Sequence, residues 1–266
     1  LQVEGLIRNP TERFKAEGST MKFLGRMLLW HKLLLVVVAL LVPSALLSVF
    51  YLKSANQTVR QAQSELSGAR YTRAIDEFLY EVIRHRAEAN VVLNGDAARK
   101  DGVVASQAAV DKAAAAVDAV DAELGKALDT SADWQAIKGE WGALKSRALT
   151  LPPDDSLTQH NDLIRKTLEF GTSIAMSSGM ARDPELVTST LVSLSTGRMP
   201  EAVNRAGIVR DRATAGVLRG YLSEGDRVTI DVARQEVNSL LGQIDRQLDS
   251  IDDGAPDVRA KVTPNF

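Results

Sequence analysis

Residues 33–52 (LLLVVVALLVPSALLSVFYL) form a run of 20 residues without a charge, 17 of them apolar. A helix of about 20 residues crosses the hydrocarbon core of a bilayer. Pro43, Ser44 and Ser48 are interruptions a membrane helix tolerates, and Trp30 and Tyr51 stand at the two ends, where amphipathic rings prefer the headgroups. The run is longer than the ~7–15 apolar residues of a cleaved signal peptide, and no small-x-small cleavage site follows Tyr51. It therefore predicts an uncleaved membrane anchor at 33–52, separating a tail at 1–32 from the bulk of the chain at 53–266. Lys22, Arg26 and Lys32 precede the run without an acidic neighbour, and only Lys53 and Arg60 follow it at similar distance. That bias predicts an N-terminus on the cytoplasmic side and residues 53–266 outside.

Beyond the run, apolar residues recur with helical spacing. No proline occurs from Ser44 to Leu151, so long helices are permitted there. The first is expected to continue out of the membrane segment to about Leu93 and to stop at Asn94-Gly95. Its stripe is Ile75, Leu79, Val82, Arg86, Ala89 and Leu93: a seven-residue period with one charged member. A second helix carries Val103, Val110, Val117 and Leu124 every seven residues, with Ala113, Val120 and Ala127 offset by three, an a/d seam. A third follows Thr130-Ser131 with Trp134, Ile137, Trp141 and Leu144 on one face. Its tryptophans suit the core of a bundle or the wall of a ligand slot. Residues 151–156 (LPPDDS) read as a loop, followed by a fourth helix through Leu157, Leu163, Ile164, Leu168, Ile174 and Met180.

Asp183-Pro184 reads as an N-cap and first residue of a fifth helix, interrupted at Gly197-Arg198-Met199-Pro200 and resumed to about Tyr221. Ser223 to Asp226 caps a last helix with Ile230, Val237, Ile244 and Ile251 in a seven-residue period, ended by Asp252-Asp253-Gly254. No stretch alternates with period two. The pattern predicts an all-α protein: one transmembrane helix, then an elongated antiparallel bundle of four to six helices.

Composition narrows the function. The net charge is −2, and residues 53–266 hold 26 Lys and Arg against 31 Asp and Glu; neither shows the basic excess of a nucleic-acid binder. There is no cysteine, which excludes disulfides and thiolate chemistry. Phosphate-binding loops, zinc-protease helices and nucleophile elbows have no match. His31 is at the membrane edge, and His85 and His160 are far apart and lie among polar neighbours, so solvated helix faces explain them better than a metal site. No catalytic constellation is seen, and the chain is expected to be neither an enzyme nor a cofactor protein.

Leu79 to Asp96 (LYEVIRHRAEANVVLNGD) is similar to a segment recurring in the sensory regions of methyl-accepting chemotaxis proteins and sensor histidine kinases. There a Gln or Arg and then His-Arg-Gly or Glu-Arg-Gly precede a leucine and a Gly-Asp turn. Arg84, His85 and Arg86 stand at those positions, and Ala87 replaces the glycine. Trp134 to Leu144 resembles the family's tryptophan-bearing third helix. His160 to Pro200 resembles the next part, opening on His160-Asn161 and keeping Asp183-Pro184 and Arg198-Met199-Pro200. Val187 to Thr190 stand where the family has aromatics, so no ligand role of those aromatics carries over. Nitrate- and nitrite-sensing domains share the Arg-Gly element.

The resemblance implies the ligand-sensing input region of a bacterial transmembrane receptor, embedded in the cell membrane, homodimeric, and periplasmic over most of its length. It also implies that a second membrane helix and an output domain belong to the same protein. A membrane-anchored helical spacer or adhesin stalk is the competing class and explains the anchor and heptads equally well.

Arg86 places a guanidinium on an otherwise apolar stripe. Burying a charge costs several kcal/mol unless it is paired, so Arg86 needs a partner. Two are open: a carboxylate from a neighbouring helix, or a small anionic ligand held bidentately. Arg84, Asn90 and Arg198 are the further candidate ligand-binding residues.

Overall fold

The computed structural model describes residues 28–254, with the side chains of 252–254 left aside. Among the described residues it is all-helical, with no strand. The helices are α1 (Leu29–Leu93), α2 (Lys100–Leu128), α3 (Ser131–Arg147), α4 (Pro153–Ser177), α5 (Leu186–Ser193), α6 (Met199–Arg219) and α7 (Glu224–Gly254). Lys22 and Arg26, two of the three cations that precede the apolar run, lie outside the described residues.

The chain divides into two compact units between Arg60 and Gln61. In the first, α1 is long and apolar enough to cross a membrane, and none of its apolar window is buried in the protein. Such a surface calls for an apolar environment. Its few polar groups are satisfied internally: the Ser44 hydroxyl donates to the Leu40 carbonyl at 2.7 Å and that of Ser48 to the Ser44 carbonyl at 2.8 Å. Pro43 is accommodated within the helix. Residues 53–60 stay exposed on every side, which moves the unit boundary beyond the end of the apolar run.

The second unit has two apolar cores. Tyr71, Ile75, Phe78, Leu79 and Val82 of α1 pack with Val110 and Val117 of α2, Trp134 and Trp141 of α3, and Leu163, Ile164 and Phe170 of α4. Leu194, Ala202, Ile244, Leu248 and Ile251 form the other, between α6, α7 and the segment that joins α5 to α6. Both tryptophans are core residues. Their indole N–H groups reach the rim, where Trp134 donates to Asp118 at 2.8 Å and Trp141 to Asp111 at 2.9 Å. Each of those carboxylates also takes a lysine, Lys138 and Lys145.

Several boundaries differ from the sequence expectation. The seam of α2 holds through Val117 and then shifts: Asp121, Gly125 and Leu128 are buried, whereas Ala127 is exposed. A straight helix drifts off a strict seven-residue repeat, and Asp121 is drawn inward by the Tyr71 hydroxyl, which donates to it at 2.7 Å. The predicted loop at 151–156 is shorter, because α4 begins at Pro153, where a missing N–H costs nothing. Asp183 does not start α5; its carboxylate accepts from the Glu185 N–H at 2.8 Å, and the helix begins at Leu186. The break at Gly197-Arg198 is a π-helical stretch, Leu194–Arg198. Ser223 and Asp226 cap α7 reciprocally, each accepting the other's backbone N–H at 3.1 Å.

Phe78 is fully buried and meets Trp134 edge-on, with ring centroids 5.2 Å apart. Phe78→Ala should cost about 3–5 kcal/mol of unfolding free energy in urea titrations, against less than ~0.5 kcal/mol for exposed Val104→Ala.

Candidate functional site

The four sequence-predicted residues fall in two places. Arg86, Arg84 and Asn90 gather where α1 meets α6. Arg198 lies apart, in the π-helical stretch, with its Nε buried and unpartnered.

Arg86 is 1% exposed. Its Nε donates to Asp211 Oδ2 at 2.8 Å, its Nη1 to Asn161 Oδ1 at 2.6 Å and Asn204 Oδ1 at 2.8 Å, and its Nη2 to the Asn204 carbonyl at 3.5 Å. One guanidinium from α1 thus binds α4 and α6 together. Of the two partners left open by the sequence, the carboxylate of a neighbouring helix is the one present. Burial pulls the Arg86 pKa below its ordinary value, and the Asp211 charge opposes that shift. Gly207 makes the approach possible, because a Cβ there would sit 2.6 Å from Arg86 Nη2.

Asn90, one turn on, donates to the Asp211 carbonyl at 2.8 Å and accepts from Asn94 at 3.1 Å. Asp211 Oδ1 is taken by Arg210, whose Nε donates to it at 2.9 Å and whose side chain is half exposed. Beside this pair opens a cleft of about 240 Å³ lined by Arg84, Arg99 and Arg210 together with Glu88, Asn90 and Asp211. Arg84 pairs with Glu81 at 2.9 Å and Arg99 with Glu88 at 2.8 Å. Including Arg86, four guanidiniums meet three carboxylates, so the locus carries one positive charge in excess. Its size suits an ion of a few atoms rather than a drug-sized ligand.

The histidines overturn the sequence expectation. His85 and His160 are both fully buried, and His85 Nδ1 lies 2.8 Å from His160 Nε2. His160 Nδ1 lies 2.7 Å from the Ser156 carbonyl. A carbonyl only accepts, so His160 carries its proton on Nδ1 and offers Nε2 as acceptor, and His85 donates from Nδ1. His85 Nε2 is then a buried lone pair, without a partner in the structure. The His85 ring stands edge-on to Trp141 at 5.0 Å. His85-Arg86 of α1 therefore meets His160-Asn161 of α4 residue for residue, one pair neutral and one charged. Adjacency to Arg86 on the buried stripe was the signal available for His85. No periodicity marked Asn204, Gly207 or Asp211.

Among the described residues no group of three or more metal-ligating side chains gathers. No family model matches the chain, and no curated protein or solved structure matches it either.

Desolvation holds His85 at about 4, with the Asp111 charge opposing it, and His160 at about 3, helped by repulsion from His85. In the unfolded chain both bind protons near 6.5. Folding therefore excludes protons between these values. The pair's contribution is complete above about pH 6.5 and is lost as pH falls toward 4, with a limiting slope of about 2.7 kcal/mol per pH unit for two protons. Asp76, raised to about 6 by burial, works in the opposite sense over part of that window. The difference between wild type and the double variant His85→Gln, His160→Gln isolates the pair: wild-type stability should fall more steeply on acidification from pH 6.5 to 4. Gly207→Ala should displace the guanidinium and cost about 1–3 kcal/mol, read by thermal or urea unfolding.

Proposed function

We propose that the chain is the ligand-sensing input region of a bacterial transmembrane receptor of the chemotaxis-receptor or histidine-kinase type, and that it takes a small anion in the Arg84–Arg99–Arg210 cleft. The observation that carries this reading is the charge imbalance at that cleft: three half-exposed guanidiniums ring it, and Asp211 is already shared with buried Arg86. An anion there completes a count that the protein leaves one short.

The proposal includes an antiparallel bundle, and three sets of contacts support it. Trp134 pairs with Asp118 and Trp141 with Asp111; Tyr71 meets Phe170 while His85 meets His160; Arg205 reaches Glu236 while Arg219 reaches Asp226. In each pair of helices one index rises as the other falls. α1 is also the helix that carries the apolar run, which fits a single-pass anchor with its N-terminus in the cytoplasm and the bundle on the periplasmic side. An anion drawing Arg210 off Asp211 leaves that carboxylate to Arg86 alone and changes how α1 is held against α6. A ligand moves such an equilibrium only by its differential affinity for the two arrangements. Homodimerisation, as in receptors of this type, belongs to the same proposal.

The internally paired Arg86 also favours a second reading, a membrane-anchored spacer in which the ion pair needs no ligand. Calorimetry separates the two. The full chain in lipid nanodiscs should bind nitrate, nitrite or a small carboxylate saturably, and Arg210→Ala should weaken binding at least ten-fold. Absence of binding by every anion in the series leaves the spacer.

A further inference from the structure

A second cavity lies away from the arginine cleft, on the open side of the α6–α7 pair. It is a groove of about 860 Å³, walled by Val203 and Ala206 of α6, Leu241, Ile244 and Leu248 of α7, and Tyr80 of α1. That volume is within the range of sites for drug-sized molecules, which are mostly apolar with a few placed polar groups. Along α7 the wall from Val237 to Leu248 extends about 16 Å at the helical rise of ~1.5 Å per residue. Leu241, half exposed, is left facing water there, as are Val203 and Tyr80.

The charged groups of the groove are all acidic. Asp245 and Asp249 line it at the Leu248 end. Asp76 stands one turn before Tyr80 on the same face of α1. Asn90 reaches the Asp211 carbonyl, and Arg86, one turn earlier, reaches Asn204 and abuts Gly207. α1 and α6 therefore advance together, and the same register brings Asp76 level with residues 194–197, the stretch whose Leu194 packs with Leu248 and Ile251, at the same end as Asp245 and Asp249. Asp76 is partly buried, and burial pushes its carboxyl up to about 6, while its charge helps to raise the Tyr80 hydroxyl one turn on. No cation among the described residues offsets it. A desolvated carboxylate without a counter-ion, at the acidic end of an apolar groove, is half of a recognition site.

We propose that this groove binds an amphiphilic amine: an apolar chain or ring system along Val203, Ala206 and Leu241, with one cationic group at the Asp76–Asp245 end. The chemistry is opposite in charge to that of the arginine cleft, and the proposal stands independently of the anion reading.

Three probes with one chain length test it: octylamine, octanol and octanoate at pH 7. They are titrated calorimetrically into the full chain in zwitterionic nanodiscs, with empty nanodiscs as the blank for partitioning. Octylamine should bind saturably and at least ten-fold more tightly than octanol, with octanoate weakest. Asp76→Asn with Asp245→Asn should reduce octylamine to the octanol level and leave octanol unchanged. Leu241→Gln, at an exposed position, should weaken both amine and alcohol. Equal affinity for amine and alcohol, indifference to the aspartate variant, or indifference to Leu241→Gln overturns the proposal. So does a dimer in sedimentation that Leu241→Gln dissociates, since the groove would then be occupied by a second copy.

Discussion

A guanidinium with 1% exposure dictates what surrounds it. An unpaired cation in the interior of a bundle costs several kcal/mol, a large share of a domain's margin of stability, so the helices around Arg86 are placed to answer it. α6 supplies the charge through Asp211 and two oxygens from Asn204, and α4 supplies Asn161. Gly207 removes the side chain that would keep α6 away. The first apolar core gathers α1 to α4, and the second gathers α6, α7 and the π-helical stretch. At Arg86 the tie between the two is polar. Hydrophobic packing is non-directional; a bidentate-capable fork with assigned acceptors fixes one register of α1 against α6.

That tie also explains why the arginine cleft has an excess of positive charge. Asp211 has two oxygens and serves two arginines, one buried and one half exposed. The buried one cannot be hydrated, so any competition for the carboxylate falls on Arg210 and the rim. The paired histidines next to it have the opposite character: a neutral chain from His85 through His160 to the Ser156 carbonyl, held neutral by the same burial that demands a counter-ion for Arg86. One pair of adjacent residues on α1 thus presents a permanent charge and a proton-sensitive neutral group to the same two residues of α4.

Much of this was legible in the sequence. Heptad spacing and the absence of proline marked α1 to α3, the Trp face and the last helix, and Arg86 stood out because a charge interrupted a stripe. Asn90 is placed beside it by helical spacing, and Arg84 by its position to one side of the stripe and in the segment that carries the resemblance. Legibility failed where tertiary contact decides. The a/d seam of α2 continued on paper through Ala127, but a hydrogen bond from Tyr71 turned Asp121 inward. His85 and His160 read as solvated because each has polar neighbours in sequence, and 75 residues separate them. Asp211, Asn204 and Gly207 show no pattern, since their roles come from facing another helix. Arg198 shared only the resemblance and lies elsewhere.

The central claim, that Arg86 and Asp211 hold α1 to α6 as one unit, is tested most directly by a double-mutant cycle. Arg86→Met, Asp211→Leu and the combined variant are compared with wild type by urea unfolding. Each single change leaves a buried charge without its partner and should cost about 3–5 kcal/mol, whereas the double variant should cost far less than their sum, with a coupling of at least ~2 kcal/mol. Additive losses would contradict the account and show the two side chains acting independently.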